Sequence, residues 1–256
     1  RHYHAFAGIM ITASHNPKEY NGYKVYNEKG CQITDGAAKD ILSEIENCGY
    51  FDKIHPYRSI IEVLDDTIPR EFLKEIRKYS LFSLSGINTP KIVYTPLNGT
   101  GNILVREILK NVEIKDVIVV PDQEKPDGNF PTCPYPNPEE KAALKLAVEL
   151  ADKKNADLVL ATDPDADRLG VHVKDKDGVY HTLTGNMSGC LLADYEIGQT
   201  KALKGLPDDG YLIKTIVTTN MADAIAKYYG TGLIEVLTGF KFIGEQIKWF
   251  EEQNTY

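Results

Sequence analysis

The chain has 256 residues, of which 29 are Lys or Arg and 37 are Asp or Glu, so its formal net charge is -8. This negative balance disfavours nucleic acid and anionic membranes as partners, and there is no run of about 18 apolar residues that would predict a membrane-spanning helix. Hydrophobic residues make up 42% and charged residues 26% of the chain, which is typical of a compact globular protein and excludes a largely disordered one.

The cysteines and the amino terminus bear on the compartment and on the extent of the chain. The cysteines are Cys31, Cys48, Cys133 and Cys190. They lie far apart without a CxxC pair, which favours reduced thiols in a cytoplasmic protein over a disulfide framework or a zinc site. The chain starts at Arg1 without an initiator Met or a leader sequence, so we expect a piece of a longer protein.

The first predicted element is a strand from Ala5 to Thr12. Its residues are mostly apolar or small, and the turn-forming sequence Ser14-His15-Asn16-Pro17 follows it. We therefore expect a buried strand that places Ser14 at its tip, after which Asn21-Gly22 turns the chain.

A short ribbon and two helices complete the first unit. Strands are predicted over Tyr23 to Tyr26 and Cys31 to Ile33, on either side of a turn. A helix is predicted from about Asp35 to Cys48, with three apolar residues facing inward: Ile41, Leu42 and Ile45. A further helix, from about Pro69 to Tyr79, leads to the next unit.

Strands and helices alternate between about Thr89 and Thr184, which predicts a right-handed, largely parallel α/β sheet. The predicted order is strand Lys91 to Tyr94, helix Asn102 to Lys110, strand Val117 to Val120, helix Pro138 to Lys154 and strand Leu158 to Thr162. Asn137 is the expected cap of the second helix, and Pro138 suits its first position. A hairpin of Leu169 to Val173 and Val179 to Thr182 follows.

A third unit begins near Gly185 and alternates helices with strands. Its predicted elements are helix Met187 to Tyr195, strand Tyr211 to Val217, helix Met221 to Tyr229, strand Leu233 to Leu237 and helix Phe242 to Glu252. We therefore expect an α/β protein with mixed sheets in three consecutive domains, over 1–80, 81–184 and 185–256, with the first and third incomplete.

Three carboxylates stand at alternate positions directly after the strand predicted to end at Thr162: Asp163, Asp165 and Asp167. In an extended backbone Asp163 and Asp167 would lie roughly 13 Å apart, whereas ligands of one Mg²⁺ lie ~2.1 Å from it. The loop must therefore curl if the three are to share an ion. Oxygen-only ligands favour Mg²⁺, and an EF-hand is excluded because Arg168 and Lys174 replace its required Gly and Glu. A solvated acidic turn is the alternative.

Ser14 lies in a turn, where a serine is most often structural because Ser, Asn and Pro are common turn formers. The loop that carries Asp163, Asp165 and Asp167, called the acidic loop below, changes this interpretation. A phosphorylated or attacking hydroxyl needs a cation to neutralise the charge on the transferring group, so the two motifs predict one phosphoryl-transfer site.

The two motifs together resemble those of the α-D-phosphohexomutase family of phosphoglucomutases and phosphomannomutases. The first is Thr12-Ala13-Ser14-His15-Asn16-Pro17 with Tyr20-Asn21-Gly22-Tyr23-Lys24, and the second is Asp163 to Arg168. Their order and separation also match. Downstream, Leu237-Thr238-Gly239-Phe240-Lys241-Phe242 resembles the third-domain segment of the phosphoglucomutase-like branch.

The resemblance implies an intramolecular phosphotransferase whose serine carries a phosphoryl group. The implied Mg²⁺ ligands are Ser14, Asp163, Asp165 and Asp167. The implied substrate is a small-molecule sugar phosphate, interconverted between its 1-phosphate and 6-phosphate through a sugar 1,6-bisphosphate that serves as intermediate and activator. Glucose is the favoured sugar and mannose the next.

The resemblance also suggests roles for other residues. The family's acid/base lysine falls on Lys24, which would need a lowered pKa to act as a base; a solvent-facing strand lysine is the alternative. His15 and Arg168 match residues that contact phosphate, and His15 is counted among the catalytic candidates. A neighbouring Asp is the alternative partner of Arg168. The substrate-binding candidates in the third unit are Thr238, Gly239 and Lys241, and a simple turn cap is the other interpretation of Lys241.

The chain departs from its family in the acidic loop, which reads Asp-Pro-Asp-Ala-Asp where many members have Asp-Gly-Asp-Gly-Asp and keeps every ligand. The resemblance covers the rear of domain 1, all of domain 2 and the front of domain 3, so we expect the chain by itself to turn over weakly or not at all. A Mg²⁺-dependent sugar phosphatase or phosphotransferase and a noncatalytic sugar-phosphate-binding module remain alternatives. The sequence does not indicate an oligomeric state.

A glycine-rich segment, Asn98-Gly99-Thr100-Gly101-Asn102, precedes the first helix of the second unit. A helix start of this kind can bind an anion. A tight turn between strand and helix is favoured, because no Walker lysine follows.

Overall fold

The computed structural model describes residues 1–49 and 61–253. Within these ranges a five-stranded mixed sheet stands in the middle of the chain, with a strand pair on either side of it in sequence. The predicted α/β class with mixed sheets is confirmed. The predicted first and third domains include residues 50–60 and 254–256, which lie outside the described residues.

The amino-terminal part is an antiparallel ribbon followed by helices. Strand β1 (Gly8–Ile11) pairs with β2 (Tyr23–Tyr26), and helices α1 (Asp35–Glu46) and α2 (Thr67–Arg77) follow. The expected strand over Cys31 to Ile33 is reduced to a single bridge between Tyr26 and Gln32.

The prediction that β1 and one face of α1 are buried is wrong. In β1, Ile9 is 69% exposed and Ile11 is 70% exposed, because among the described residues β1 pairs with β2 alone. Helix α1 has no buried residue, and the side chains expected to face inward are exposed: Ile41, Leu42 and Ile45. The apolar pattern is present, but no described element covers it.

The central sheet has the strand order β4-β3-β5-β6-β7. Its elements in chain order are β3 (Ile92–Thr95), α3 (Gly101–Asn111), β4 (Val117–Val119), α4 (Lys145–Lys154), β5 (Leu158–Thr162), β6 (Leu169–Lys174) and β7 (Tyr180–Leu183). Strands β4, β3 and β5 are parallel, whereas β6 and β7 form an antiparallel hairpin that extends the sheet beyond β5. The carboxyl ends of the parallel strands therefore meet at one edge, where ligands of α/β sheets gather.

The main core lies between this sheet and α4. All four residues of β3 are buried, as is usual for a parallel strand covered on both faces. Helix α4 places Ala147 and Ala151 against Val93 and Val159, and these small side chains let the helix approach the strands closely. The central strand β5 is held firmly, and it ends at the acidic loop.

The helix expected from Pro138 begins instead at Lys145, after a series of turns. Asn137 accepts a hydrogen bond from the Glu139 N–H, at 3.1 Å, but this closes a local turn and does not cap a helix. The segment also packs tightly on β6, where a Cβ on Gly170 would lie 2.3 Å from the Pro138 carbonyl oxygen. Tertiary packing and turn chemistry therefore override the helical pattern here.

The carboxyl-terminal part contains a parallel strand pair. Its elements are α5 (Gly185–Lys204), β8 (Tyr211–Thr215), α6 (Met221–Tyr229), β9 (Gly232–Val236) and α7 (Phe240–Glu252). Helix α5 extends well beyond its expected end at Tyr195, and Thr184 caps it by accepting the Met187 N–H at 3.2 Å. In residues 1–49 and 61–253, no helix combines the length and the apolar character needed to cross a bilayer.

Candidate active site

The acidic loop curls as the sequence requires. Asp163 is fully buried at the end of β5, and its Oδ1 accepts the N–H groups of Asp167 at 3.1 Å and Arg168 at 3.0 Å. The Ala166 N–H donates to the Asp163 carbonyl at 2.9 Å. Ala166 has a φ of +58°, a left-handed conformation that alanine adopts at some cost. The backbone of the loop therefore folds around its first carboxylate.

The curl brings the three carboxylates together. One oxygen each from Asp163, Asp165 and Asp167 lies within 4.8 Å of the others. The second oxygen of Asp165, Oδ1, is buried and has no hydrogen-bond partner. A buried carboxylate oxygen without a partner is costly, and a hard divalent cation would satisfy it. The donor set, all oxygen and all acidic, therefore fits the implied Mg²⁺.

Ser14 meets this loop from the other side. It follows β1 with a φ of +54°, and its N–H donates to Thr12 Oγ1 at 2.8 Å. Its Oγ lies 3.1 Å from Asp163 Oδ2, although 149 positions separate the two residues. The Thr12 hydroxyl also donates to Asp165 Oδ2 at 3.0 Å. The turn over residues 12–17, called the serine turn below, is thus joined to the acidic loop by both of its hydroxyl-bearing residues.

Lys24 extends from β2 to the same loop. Its Nζ lies 3.2 Å from Asp165 Oδ2 and 3.0 Å from Asp167 Oδ2. Burial alone would lower the pKa of Lys24, but the hydrogen bonds to Asp167 and Asp165 outweigh burial, so the pKa lies above its usual value. The lowered pKa that a base requires is therefore not seen in this arrangement, in which Lys24 is an ammonium group among carboxylates.

The carboxylates differ in how readily they ionise. Burial raises the pKa of Asp163 to about 7, and the neighbouring Asp165 adds to this effect. Burial by itself would also raise the pKa of Asp165, but hydrogen bonds with Asp163 and Lys24 outweigh it and keep that pKa below its usual value. Without a cation, the loop therefore holds a proton near Asp163 over most of the range below about pH 7, and a bound cation would displace it.

His15 lies beside the serine hydroxyl. Its Nδ1 is 3.1 Å from Ser14 Oγ, and its ring stands edge-on to Tyr135, with the ring centroids 6.1 Å apart. Burial lowers the pKa of His15, and nearby Arg168 lowers it further, so the neutral imidazole is favoured at pH 7. The Arg168 side chain is exposed, and its guanidinium is near enough to act on His15.

The third-unit candidates lie elsewhere. Thr238 and Gly239 connect β9 to α7, and Gly239 has a φ of +130° immediately before the helix. Lys241 forms an ion pair with Asp35 of α1 at 2.7 Å and lies over the Phe242 ring. Within the described ranges, none of these three candidates lines the cavity beside Ser14. The structure brings together the residues of the first two units and leaves these apart.

A cavity of about 540 Å³ opens beside Ser14. Its walls come from four segments: the serine turn with the strand before it, the turn around Gly99, the loop around Gly128, and the acidic loop at Pro164 and Asp165. For the segment around Gly99 the sequence favours a plain turn over an anion site, and it assigns no role to Thr12 or Tyr135. The position of Thr12 two residues before Ser14 was the available signal, since side chains there can bond the turn backbone.

Three family models match consecutive parts of the chain. Their descriptions are phosphoglucomutase/phosphomannomutase alpha/beta/alpha domain I over residues 1–50, domain II over 70–178 and domain III over 184–251. The chain belongs to the phosphoglucomutase/phosphomannomutase family. A curated phosphoglucomutase from Staphylococcus aureus (strain MRSA252) is 37% identical over 257 aligned residues, which cover 98% of this chain and 46% of that protein. The chain thus spans about half the length of the curated relatives it matches.

Solved structures of family members share the fold. A protein from Thermus thermophilus that is described as a phosphomannomutase aligns with a TM-score of 0.74 and 24% identity, over 99% of this chain and 52% of that one. Two structures of Aspergillus fumigatus N-acetylphosphoglucosamine mutase align with TM-scores of 0.54 and 0.55, at 17% and 18% identity, over 92% of this chain and 56% of theirs. One contains GlcNAc-6P and magnesium, and the other glucose 1,6-bisphosphate.

Proposed function

We propose that this chain carries the phosphoryl-transfer centre of a phosphosugar mutase, which interconverts hexose 1-phosphate and hexose 6-phosphate. The observation that carries the proposal is the 3.1 Å contact between Ser14 Oγ and Asp163, inside a cluster of three carboxylates. Glucose is the preferred sugar in this proposal and mannose the next, supported by the curated relatives named phosphoglucomutase.

The proposed metal is Mg²⁺, held by Asp163, Asp165 and Asp167 together with an oxygen of Ser14 or of its phosphate. Support comes from the all-oxygen donor set and from the buried, unpartnered Asp165 Oδ1. When bound, the cation would neutralise charge on the transferring phosphoryl group. The fungal relative whose structure contains magnesium supports the choice of ion.

In the forward transfer, a sugar hydroxyl attacks the phosphorus on Ser14. The new sugar O–P bond forms as the bond from phosphorus to Ser14 Oγ breaks, and Ser14 Oγ takes up a proton from solvent as it leaves. The proton of the sugar hydroxyl passes to Lys24. Lys24 is an ammonium group while it binds Asp165 and Asp167, so it becomes a base only when a cation would hold those carboxylates in its place and its pKa falls.

The product is a sugar 1,6-bisphosphate, which reorients. In the return transfer Ser14 Oγ attacks the other phosphoryl group and releases its proton to solvent. The bond from that phosphorus to the sugar oxygen breaks, and the Lys24 ammonium gives its proton to the departing sugar oxygen.

Other side chains hold the phosphate groups in this proposal. His15 contacts the transferring group, since its Nδ1 already lies 3.1 Å from Ser14 Oγ. Arg168 offers an exposed guanidinium that can bind phosphate oxygens with two parallel hydrogen bonds. The third-unit substrate residues would be Thr238, Gly239 and Lys241, and Lys241 would first release Asp35. The fungal relative with glucose 1,6-bisphosphate supports a bisphosphate as intermediate and activator.

The proposal includes the division of the chain into units, its cellular location and its class of partner. Three units, over 1–80, 81–184 and 185–256, are supported by the separate sheets that each contains. A cytoplasmic location is supported by four free thiols, and a small-molecule partner in preference to nucleic acid by the net charge of -8. The 256-residue chain alone is expected to complete the full isomerisation weakly or not at all.

The decisive experiment follows phosphoryl transfer to Ser14. The chain is incubated with glucose 1,6-bisphosphate and Mg²⁺, and phosphopeptides are located by mass spectrometry. We expect phosphate on Ser14, none in Ser14→Ala, and unchanged labelling in Ser43→Ala, which alters an exposed serine of α1. Absence of phosphate on Ser14 in the unaltered chain would refute the proposal.

A panel of sugar phosphates separates the alternatives. Phosphorylated chain is mixed with the 1-phosphates of glucose, mannose, glucosamine and a pentose, and the products are analysed. Bisphosphate formed fastest from glucose 1-phosphate supports the proposed mutase. Inorganic phosphate without bisphosphate would instead indicate a Mg²⁺-dependent sugar phosphatase, and binding without transfer would indicate a noncatalytic module.

A further inference from the structure

We infer that the turn formed by Gly99 and Thr100 positions the acidic loop for metal binding, so that both are positioning residues for the site. The inference rests on the proposed metal centre but concerns residues outside it. The turn contacts the loop at Pro164, which lies between the proposed ligands Asp163 and Asp165. Fixing Pro164 therefore fixes the relative orientation of those two carboxylates.

Thr100 holds the Pro164 carbonyl with two donors. Its backbone N–H donates at 2.9 Å and its hydroxyl donates at 3.0 Å. Both hydrogen bonds cross from the start of α3 to the acidic loop, over 64 positions of sequence. A carbonyl bound by two donors has little freedom to rotate, and neither does the peptide plane that leads into Asp165.

Gly99 allows the two backbones to approach this closely. A Cβ at this position would lie 2.3 Å from Pro164 Cα and 2.6 Å from its carbonyl oxygen. Both distances are far shorter than van der Waals contact, and the opposing atoms are backbone, which has no rotamer to change. Any other residue at position 99 would therefore push the acidic loop away.

The turn itself is held in an unusual shape. Leu97 and Asn98 have φ values of +48° and +58°, which non-glycine residues seldom adopt. The Asn98 Nδ2 donates to the carbonyls of Asp122 at 3.3 Å and Lys125 at 2.9 Å, and the buried Leu97 anchors the other side. Strained backbone of this kind persists where surrounding contacts over-determine it, and it gathers at functional sites.

A plain connection between β3 and α3 does not require these contacts. The turn is already closed by the Gly99 N–H, which donates to the Pro96 carbonyl at 2.8 Å. The contacts with Pro164 are additional and point to the acidic loop. Outer residues that orient metal ligands in this way commonly change metal affinity by about 10- to 100-fold.

The test measures Mn²⁺ affinity and amide hydrogen exchange in four variants of the chain. Gly99→Ala should weaken Mn²⁺ binding at least about tenfold. Thr100→Val should weaken it about threefold, through loss of one exposed hydrogen bond, and Thr100→Ser should restore it. The control is Gly189→Ala, because a Cβ there meets no atom within 4 Å. Without metal, exchange in residues 163–168 should be faster in Gly99→Ala and Thr100→Val than in the unaltered chain.

The two proposals fail in different ways. If the unaltered chain binds no Mn²⁺, the metal centre of the proposed function is refuted. If it binds Mn²⁺ but Gly99→Ala and Thr100→Val match it in affinity and in exchange, the positioning inference is refuted. Exchange that rises equally along the whole chain would also refute it, because that result would indicate a general loss of stability.

Discussion

The central sheet and the β1–β2 ribbon supply the two halves of the candidate site. They differ sharply in how much of the protein packs around them. Strand β5 lies in the middle of the sheet, and Val159 and Ala161 within it are fully buried. Strand β1 has one partner among the described residues, and its Ile9 and Ile11 are largely exposed. A firmly packed strand thus carries the carboxylates, and a thinly covered one carries the serine.

This difference indicates how the site is assembled. The acidic loop is shaped by its own backbone, which bonds to Asp163 through two N–H groups. The serine half has backbone hydrogen bonds of its own, such as the Thr12 N–H to the Gly22 carbonyl. It is attached to the acidic loop by side chains, from Thr12 and Ser14 of the turn and from Lys24 of β2. The acidic half is therefore shaped by backbone contacts on the central sheet, and the serine half is attached to it through side chains.

The largest expected effect concerns the stability of the two strands. Ile92→Ala, in fully buried β3, should cost about 2–5 kcal/mol through lost packing. Ile9→Ala, at a position 69% exposed in β1, should change stability by less than about 0.5 kcal/mol. Hydrogen exchange of β5 amides measures the loss of stability in each variant. Equal losses in the two variants would contradict the difference in packing between β3 and β1.

The next effect is a pH dependence of the metal-free chain. Because burial raises the pKa of Asp163 to about 7, the folded state holds a proton that the unfolded state has lost. Stability should therefore fall as the pH rises from about 4 to about 8, by on the order of 2 kcal/mol, and added Mg²⁺ should reverse the loss. Thermal unfolding across this range measures the effect.

Asp163→Asn supplies the control for this pH dependence. The variant should be the more stable protein at pH 8 without metal and should lose the stabilisation by Mg²⁺. The lowered pKa of His15 contributes with the opposite sign, but it is common to both proteins and cancels in their difference. A difference between the two proteins that stays constant from pH 4 to pH 8 would show that Asp163 ionises normally.

A smaller effect tests the connection between the halves. Thr12→Val removes the hydroxyl that donates to Asp165 and leaves the Ser14 N–H without its acceptor. Phosphorylation of Ser14 should slow about tenfold, while the fold is retained. Thr12→Ser should recover the rate. The matched control is Thr231→Val, whose hydroxyl donates to the Ala226 carbonyl in the third unit; an equal slowing there would remove the special role of Thr12.

The smallest effect concerns backbone strain in the acidic loop. Ala166 has a left-handed φ of +58°, which glycine adopts at no steric cost. Ala166→Gly should therefore stabilise the metal-free chain by about 0.5 kcal/mol or less, because greater freedom of the unfolded chain offsets part of the gain. Ala202→Gly, in exposed helix α5, should instead destabilise it by about 1 kcal/mol. The same sign for both, in thermal unfolding, would argue against strain at Ala166.

Local sequence pattern predicted several elements with their observed bounds. Strands β2 and β5 and helix α6 match because apolar periodicity and flanking turn residues determine them locally. The exposure of β1 was not predictable, since an apolar strand gives no information on what covers it. The late start of α4 depends on packing between Pro138 and Gly170, which sequence periodicity does not contain.

The same division applies to the site. The alternating carboxylates indicated a metal loop, and the turn at Ser14 indicated a partner for it. The contacts that hold the site together could not be predicted. Thr12 and Thr100 are ordinary threonines in the sequence, and their partners lie 153 and 64 positions away. The raised pKa of Lys24 also depends on carboxylates from a distant loop.

Crystals grown with Mn²⁺ would test the central claim most directly, through the position of the metal in an anomalous difference map. A single strong peak is expected among the carboxylates of Asp163, Asp165 and Asp167, with an oxygen of Ser14 or its phosphate as a further ligand about 2.1 Å away, the spacing usual for Mg²⁺. A metal bound elsewhere, or one bound by the carboxylates with Ser14 turned away, would contradict the shared site.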